Sequence, residues 1–370
     1  MKPFPPPLDT RRIKVYPVAS RRSQSEIEEI IVLADKPPAP VPPETDRQIQ
    51  EAVRRVVAAR QAGAGVMLIY GAHLIKNGGA DLIIQLIKNG WISHLATNGA
   101  GGIHDWEFAF LGRSTEGVEQ NVATGTFGTW DETSRFTHLA LLAGALANEG
   151  YGRSLGRFAF EEGVTLPSLQ ALEDLIRGEP SHPLTPARAE LAQAMRVHHI
   201  PDGRTSVPHP WKHRSVLAQA FACQIPLTIH PGIGYDIISN HPMFNGAALG
   251  RAAGLDFRQF GAAVETLDGG VVFSVGSAIM GPQVFEKSIS CVNNLRLQDG
   301  RKIVHDHTIF VVDLQDGGNW DWTKGEPPRE NPAYYLRFCK SYSRMGGVMH
   351  YCCCDNIHFL HNLWHRLKTI

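Results

Sequence analysis

Two patterns of apolar and polar positions take turns along most of this chain. Short, nearly continuous apolar runs at 66–70, 92–96, 226–229, 270–275, 308–312 and 348–352 predict strands. A continuous run, unlike an alternating one, belongs to a strand covered on both faces. Between the runs, apolar residues recur at helical spacing. The spacing predicts helices over 45–62, 132–148, 168–177, 186–196, 256–266, 283–294, 332–341 and 356–367. A further helical pattern, with Leu82, Ile83, Leu86 and Ile87 on one face, separates the first two strands. Strands separated by helices predict a three-layer αβα, Rossmann-like domain with a mostly parallel six-stranded sheet.

The first 44 residues follow neither pattern. They hold Pro5-Pro6-Pro7, the pairs Arg11-Arg12 and Arg21-Arg22, and a proline cluster from Pro37 to Pro43. A short helix over 25–34 is expected there, capped by Ser25, with Glu26, Glu28 and Glu29 near its positive end. The prolines then form a stiff linker, and the segment reads as an extension packed on the body. Residues 45–370 read as a single α/β domain. It carries an insertion at about 151–213 that is richer in charge and proline and caps the sheet.

Composition narrows the function. Lys+Arg and Asp+Glu balance at 36 each, so no basic excess points to nucleic acid or to an anionic membrane surface. No apolar run approaches the roughly 18 residues of a membrane span, and MKPFPPPLDTRR lacks the apolar region of a secretory signal. A cytoplasmic setting is the expectation. The 6 cysteines, three of them consecutive at Cys352–Cys354, read as reduced thiols and small buried residues. His358, His361 and His365 share one helical face, and the last two have a metal-pair spacing. Phe359, Leu360, Leu363 and Trp364 surround them, so a packed helix with hydrogen-bonded histidines is expected and no metal site.

The carboxyl ends of the expected strands collect glycine, carboxylate and tryptophan. The second is followed by Asn98-Gly99-Ala100-Gly101-Gly102, the third by His230-Pro231-Gly232-Ile233-Gly234-Tyr235-Asp236, and the fourth by Gly276-Ser277. The fifth leads to Asp313 and then Asp316-Gly317-Gly318-Asn319-Trp320-Asp321-Trp322, and the sixth to Cys353-Cys354-Asp355. In open α/β sheets this edge binds ligands. Small residues admit a nucleotide, a strand-end carboxylate can hold a ribose hydroxyl, and carboxylates beside tryptophan suit an organic cation. His209, Trp211 and His213 could line the same cleft from the inserted segment.

Over about 66–105 and 225–367 the chain resembles the deoxyhypusine synthase family, particularly its divergent bacterial branch. Met67-Leu68-Ile69-Tyr70-Gly71-Ala72-His73-Leu74-Ile75 resembles that family's first strand and the turn that contacts NAD. Ala100-Gly101-Gly102-Ile103-His104-Asp105 resembles its Ala-Gly-Gly-Val-Glu-Glu loop. Val275-Gly276-Ser277-Ala278 falls on a glycine-rich strand end, Asp316-Gly317-Gly318 with Pro328-Arg329-Glu330 on an Asp-Gly-Ser…Pro-Asp-Glu pair, and Cys354-Asp355-Asn356 on the terminal segment near the adenine. The resemblance implies a homotetramer that uses NAD to move an aminobutyl group from spermidine or a related polyamine. The group passes through an enzyme lysine imine to a small amine or a protein lysine.

By the same resemblance, NAD would meet Ala72, His73, Asn98, Gly99, Ala100 and Gly101, then His104, Asp105, Gly276, Ser277 and Asp355. The polyamine would meet Asp236, Asp316, Gly317, Trp320 and Asp321. Lys340 would be the nucleophile and Glu330 a second catalytic group. The chain departs from the family where Gly281-Pro282-Gln283 replaces a Lys-His pair, where Ala72-His73 replaces Ser-Asn, where His104 replaces a glutamate, and where Phe338-Cys339-Lys340 replaces a Trp-Gly-Lys triplet after an insertion. Two alternatives follow from these departures. One is a homospermidine synthase-like or other NAD-using amine enzyme without a lysine intermediate. The other is an inactive NAD-binding or assembly protein.

Overall fold

In the computed structural model, which describes residues 4–370, the six apolar runs become one sheet. Its strands are β1 (Val66–Tyr70), β2 (His94–Asn98), β3 (Leu227–His230), β4 (Val271–Val275), β5 (Thr308–Asp313) and β6 (Val348–Cys353). They lie in the order β6-β5-β4-β1-β2-β3, and every neighbouring pair is parallel. The sheet is therefore wholly parallel, and its order is that of a doubly wound Rossmann domain. The order reverses between β1 and β4, which pair from Val66↔Val271 to Tyr70↔Val275.

All residues of β1 and β4 are buried, as their nearly continuous apolar character requires. Alternate side chains go to opposite layers. Val66, Leu68 and Tyr70 join the larger core, with α1 (Pro43–Gln61), α2 (Ala80–Lys88) and α3 (Gly99–Leu111). The same layer holds α4 (Asp131–Ala145), α5 (Tyr151–Phe160), α6 (Val216–Ala222) and part of α7 (Gly246–Val264). Met67 and Ile69 join a second core with Phe260 and Val264 of α7 and with Phe285, Ile289 and Val292 of α8 (Met280–Gln298). The last helix, α9 (Asn356–Leu367), returns to the first layer.

Some helices differ from the pattern. The one expected at 256–266 is the second half of α7, which starts at Gly246, where the Asn245 side chain accepts from the Ala247 and Ala248 N–H groups. The Gly- and Ala-rich first half carries too few large apolar residues to show a period. Residues 332–341 split into a 3-10 turn, Pro332–Tyr335, and a short helix, Arg337–Ser343. In the region 151–213, α5 packs within the body, with Tyr151, Leu155 and Phe158 buried. The rest of the region is an antiparallel pair, Gly163–Leu166 with Gly203–Ser206, enclosing helices Leu169–Gly178 and Thr185–Val197, whose Leu172 and Leu191 join the larger core.

The helix expected over 25–34 is replaced. Ser25 and Glu26 pair antiparallel with Ser114 and Arg113, and only Ile27–Ile30 is helical. The Ser25 hydroxyl meets Thr115 Oγ1 at 3.0 Å, so it does not cap, and the Ile27 N–H donates to the Gly112 carbonyl. Tertiary pairing overrides the local signal, because burying Ile27 requires its backbone to be satisfied by α3's C-terminal turn. The segment continues against α9. The Trp364 indole donates to Ala34 O (3.1 Å), His361 Nε2 donates to Lys36 O (2.8 Å) and the Asn362 amide donates to Ala39 O (2.8 Å). Residues 25–39 are thus tied both to the C-terminal turn of α3 and to α9.

Candidate active site

The carboxyl edge of the sheet is built around the start of α3. Asn98 caps the helix, its side-chain oxygen accepting from the Gly101 N–H at 2.9 Å. Gly99 is required by what faces it: a Cβ there would lie 2.0 Å from Asp236 Oδ2. A carboxylate from the β3 end therefore closes directly against the first turn of α3, at the positive end of that helix. Beside it is a cavity of 580 Å³. Ala100, Ile103 and His104 of α3 form its floor, with Lys76, Asn77, Tyr235 and Asp236 around it. Arg21, Gln24 and Ser25 of the N-terminal segment also line it, together with Thr115 and Glu116.

The side chains below this floor form a chain of polar contacts. His104 Nδ1 lies 2.7 Å from Ser114 Oγ, and the Ser114 hydroxyl donates to Glu107 Oε2 at 2.6 Å. Glu107 is 1% exposed and also takes two bonds of 2.8 Å from the Arg21 guanidinium and one of 2.8 Å from Thr133. Burial pushes the Glu107 carboxyl up, but the Arg21 charge and bonds outweigh it and hold the group below its ordinary value. Burial, with the charges of Lys76, Arg21 and His73, lowers the His104 pKa despite the opposing Glu107, so the imidazole is neutral at pH 7.

Asp236 has a different balance. It is 4% exposed and accepts the Gly232 N–H at 2.8 Å. Burial pushes its carboxyl up from 3.8 to about 6, against that single bond. Because the folded value is raised, the folded state holds this proton more tightly than the unfolded chain. Stability from Asp236 is full below pH 3.8 and is lost as pH rises through about 6. At about 1.4 kcal/mol per unit the whole change is on the order of 2–3 kcal/mol. Asp236→Asn should therefore gain stability relative to the native protein between about pH 4 and 7, read as the difference in denaturant midpoints. An unchanged difference would remove Asp236 as a group ionised against its surroundings.

The structure places the other expected residues as follows. Ala72 and His73 begin the short helix Ala72–Lys76 after β1. Ser277 follows β4, and its hydroxyl accepts from the Gly281 N–H at 3.0 Å. Asp355 caps α9, accepting from the Ile357 and His358 N–H groups at 2.9 and 3.0 Å. Asp105 points inward and anchors α6, accepting from Ser215 Oγ (2.5 Å) and the Val216 and Leu217 N–H groups (2.8 and 3.0 Å).

At the β5 end, Asp316 accepts from the Gly318 N–H, and Asp321 accepts from Thr323 N–H and Oγ1. The Trp320 indole donates to Gly325 O, and Gly317 lies against the Tyr351 ring. Lys340 Nζ is 3.9 Å from Glu326 Oε1 and 3.6 Å from the centre of the Tyr334 ring, and Glu330 is exposed on a turn. None of these six residues lines the cavity, which brings together Ala100, His104 and Asp236. His209 is fully buried with Nδ1 on Val207 O, and the Trp211 indole donates to Glu28.

Arg21, Lys76, Glu107 and Ser114 were missed by sequence reasoning. One signal was available: Glu107 stands in the apolar helical run Trp106-Glu107-Phe108, and a carboxylate there needs a buried partner. Nothing in the sequence marks Arg21 as that partner.

The crevice between β1 and β4 has its own features. Gly71 and Gly276 lie side by side, the Gly71 N–H donating to Val275 O at 3.1 Å. Gly276 has φ 61°, a conformation that favours glycine. Asn356 packs against it, and the Asn356 Oδ1 is buried with no hydrogen-bond partner among the described residues. An orphaned acceptor at a topological switch point fits a ligand that brings amide or hydroxyl donors, as a dinucleotide does.

No family model matches the chain, and no curated protein does. Solved structures are similar at low identity, three of which follow. Apo ArgZ, an arginine dihydrolase from the ornithine–ammonia cycle in cyanobacteria, is 14% identical, with a TM-score of 0.40, over 88% of this chain and 33% of its own. The ternary complex of AgrE with ornithine and NAD+ is 14% identical, with a TM-score of 0.40, over 90% and 34%. A conserved LOR/SDH protein from Methanococcus maripaludis S2 is 11% identical, with a TM-score of 0.42, over 96% and 76%. This chain spans about a third of the length of ArgZ and AgrE.

Proposed function

We propose that this protein is an NAD-dependent enzyme that oxidises a small amine in the cavity beside α3. The observation that supports it most is the meeting of Asp236 and a neutral His104 in one cavity at the carboxyl edge of a sheet with Rossmann order. NAD+ would accept a hydride there. The residues to hold it are Gly71, Ala72, His73, Gly276, Ser277, Asp355 and the unpaired Asn356 amide oxygen. Asp236 pairs with the ammonium group of the substrate, and that pairing strengthens as pH rises through about 6. The N-terminal segment supplies part of the cavity wall through Arg21, Gln24 and Ser25.

Aminoalkyl transfer of the deoxyhypusine synthase kind is the second reading. It needs a lysine within reach of the substrate, and the cavity has Lys76 on its wall, while Lys340 stands against Glu326 and Tyr334. One experiment separates the two. The protein is incubated with NAD+ and a panel of amines including spermidine, NADH absorbance is followed, and borohydride adducts are mapped by mass spectrometry. NADH formation without an adduct is the expected result. An adduct on Lys76 or Lys340 establishes transfer instead. Absence of both NAD binding and NADH formation across the panel would overturn the whole reading.

A further inference from the structure

We infer that His104 is the base that takes the ammonium proton of the amine substrate, and that Ser114, Glu107 and Arg21 hold its ring in the one tautomer able to do so. The inference deepens the proposed function and rests on it. It starts from counting protons. Ser114 Oγ carries one hydrogen, and it goes to Glu107 Oε2 at 2.6 Å. Glu107 is an ionised acceptor, since it already takes both guanidinium bonds of Arg21 and the Thr133 hydroxyl. The 2.7 Å contact between Ser114 Oγ and His104 Nδ1 can then be made only with Nδ1–H as donor. The other nitrogen, Nε2, is left with its lone pair, on a side chain that lines the cavity.

The chemistry needs such a group. An alkylammonium, R–CH2–NH3+, has no nitrogen lone pair to stabilise the carbon as hydride leaves. It must first give one proton to a base and become R–CH2–NH2. NAD+, held at the β1–β4 crevice, would then take the C–H hydrogen with both electrons as hydride, which would leave R–CH=NH2+, and the proton on His104 passes to water. Atoms and charge balance with one base and one dinucleotide.

The charged groups facing His104 suit this role. Burial lowers the His104 pKa, the charges of Lys76, Arg21 and His73 add to it and the Glu107 charge acts the other way, so the ring is kept as the free base, available to accept a proton though a weaker base than an exposed histidine. Asp236 and Glu116 lie on the same cavity wall. Asp236 can hold the ammonium while His104 draws a proton from it. Ser114, Glu107 and Arg21 are positioning residues, acting only through the ring.

The test uses the full chain labelled with 15N at histidine, with 1,4-diaminobutane as the probe. The free protein should show His104 protonated at Nδ1, with a bare Nε2 whose resonance moves when the diamine is added without NAD+. Ser114→Ala keeps the Arg21–Glu107 pair, so it should fold, lose the fixed tautomer and shift the acidic limb of the kcat/KM profile. His104→Gln should lower kcat by about 10²–10⁴-fold while NAD+ binding is retained. An Nε2–H tautomer in the native protein would overturn the inference, whatever the activity. So would full amine turnover by His104→Gln, with the NAD-dependent reading left standing. If the native protein turns over no amine and Nε2 does not respond to the diamine, both fail together. If it turns over amines and only Nε2 is silent, this inference alone fails.

Discussion

Arg21→Met should destabilise the protein by about 3–5 kcal/mol, the cost of leaving a buried carboxylate without its cation. The guanidinium is 4% exposed and Glu107 is 1% exposed, and they share two bonds of 2.8 Å. The pair joins the N-terminal segment to α3, so the loss is felt by two parts of the fold at once. Glu107→Gln in the Arg21→Met background should recover much of the stability, because the charge that made the vacancy costly is then absent. Urea denaturation of the two single variants and the double variant checks both statements. A loss below about 1 kcal/mol for Arg21→Met would place the pair in solvent, contrary to its burial.

The second large effect is expected at Gly71→Ala. The new Cβ would stand 2.0 Å from the carbonyl oxygen of Gly276 and 3.0 Å from its carbon, both backbone atoms. Neither can rotate away. The ends of β1 and β4 have to part by about 1 Å, which strains the Gly71 N–H bond to Val275 O. A loss of about 3 kcal/mol is expected, with NAD+ binding weakened more than tenfold by calorimetry, because the crevice is made by these two strand ends. Gly254→Ala is the control. That position is in α7, exposed, with nothing within 4 Å of an added Cβ, so the change should stabilise by up to about 1 kcal/mol. Equal behaviour of the two variants would mean that the β1–β4 contact is loose.

The sheet was legible because parallel strands bury both faces. That requirement writes runs such as Val66–Tyr70 and Val271–Val275 into the chain, and the structure places each within two residues of its expected bounds. The small residues at Asn98–Gly102 were legible as a strand end but not as the first turn of α3, where the close approach of Asp236 requires Gly99. The relay at His104 was not. It draws Arg21, His104, Glu107 and Ser114 from segments that a local pattern cannot join. Ser25 was misread as a cap because the sequence shows its helix-starting neighbours and hides its pairing with Ser114. The acidic loop at Asp316–Asp321 reads as a cation site in the sequence, and in the structure its carboxylates also accept from its own backbone. Composition alone cannot distinguish a ligand-binding carboxylate from one that shapes its own turn.

The β1–β4 pairing also bears on how the molecule forms. Tyr70 and Val275 are neighbours in space, so the centre of the sheet can close only after some 200 intervening residues have been made and arranged. Such distant pairing is slow, and α1, α2 and the first two strands must wait with their apolar faces uncovered. The N-terminal segment is synthesised before anything it covers and can dock only once α3, α4 and α9 are in place. Refolding should therefore pass through a stage with a built sheet and an uncovered cavity, when a cofactor or substrate could enter without displacing that segment.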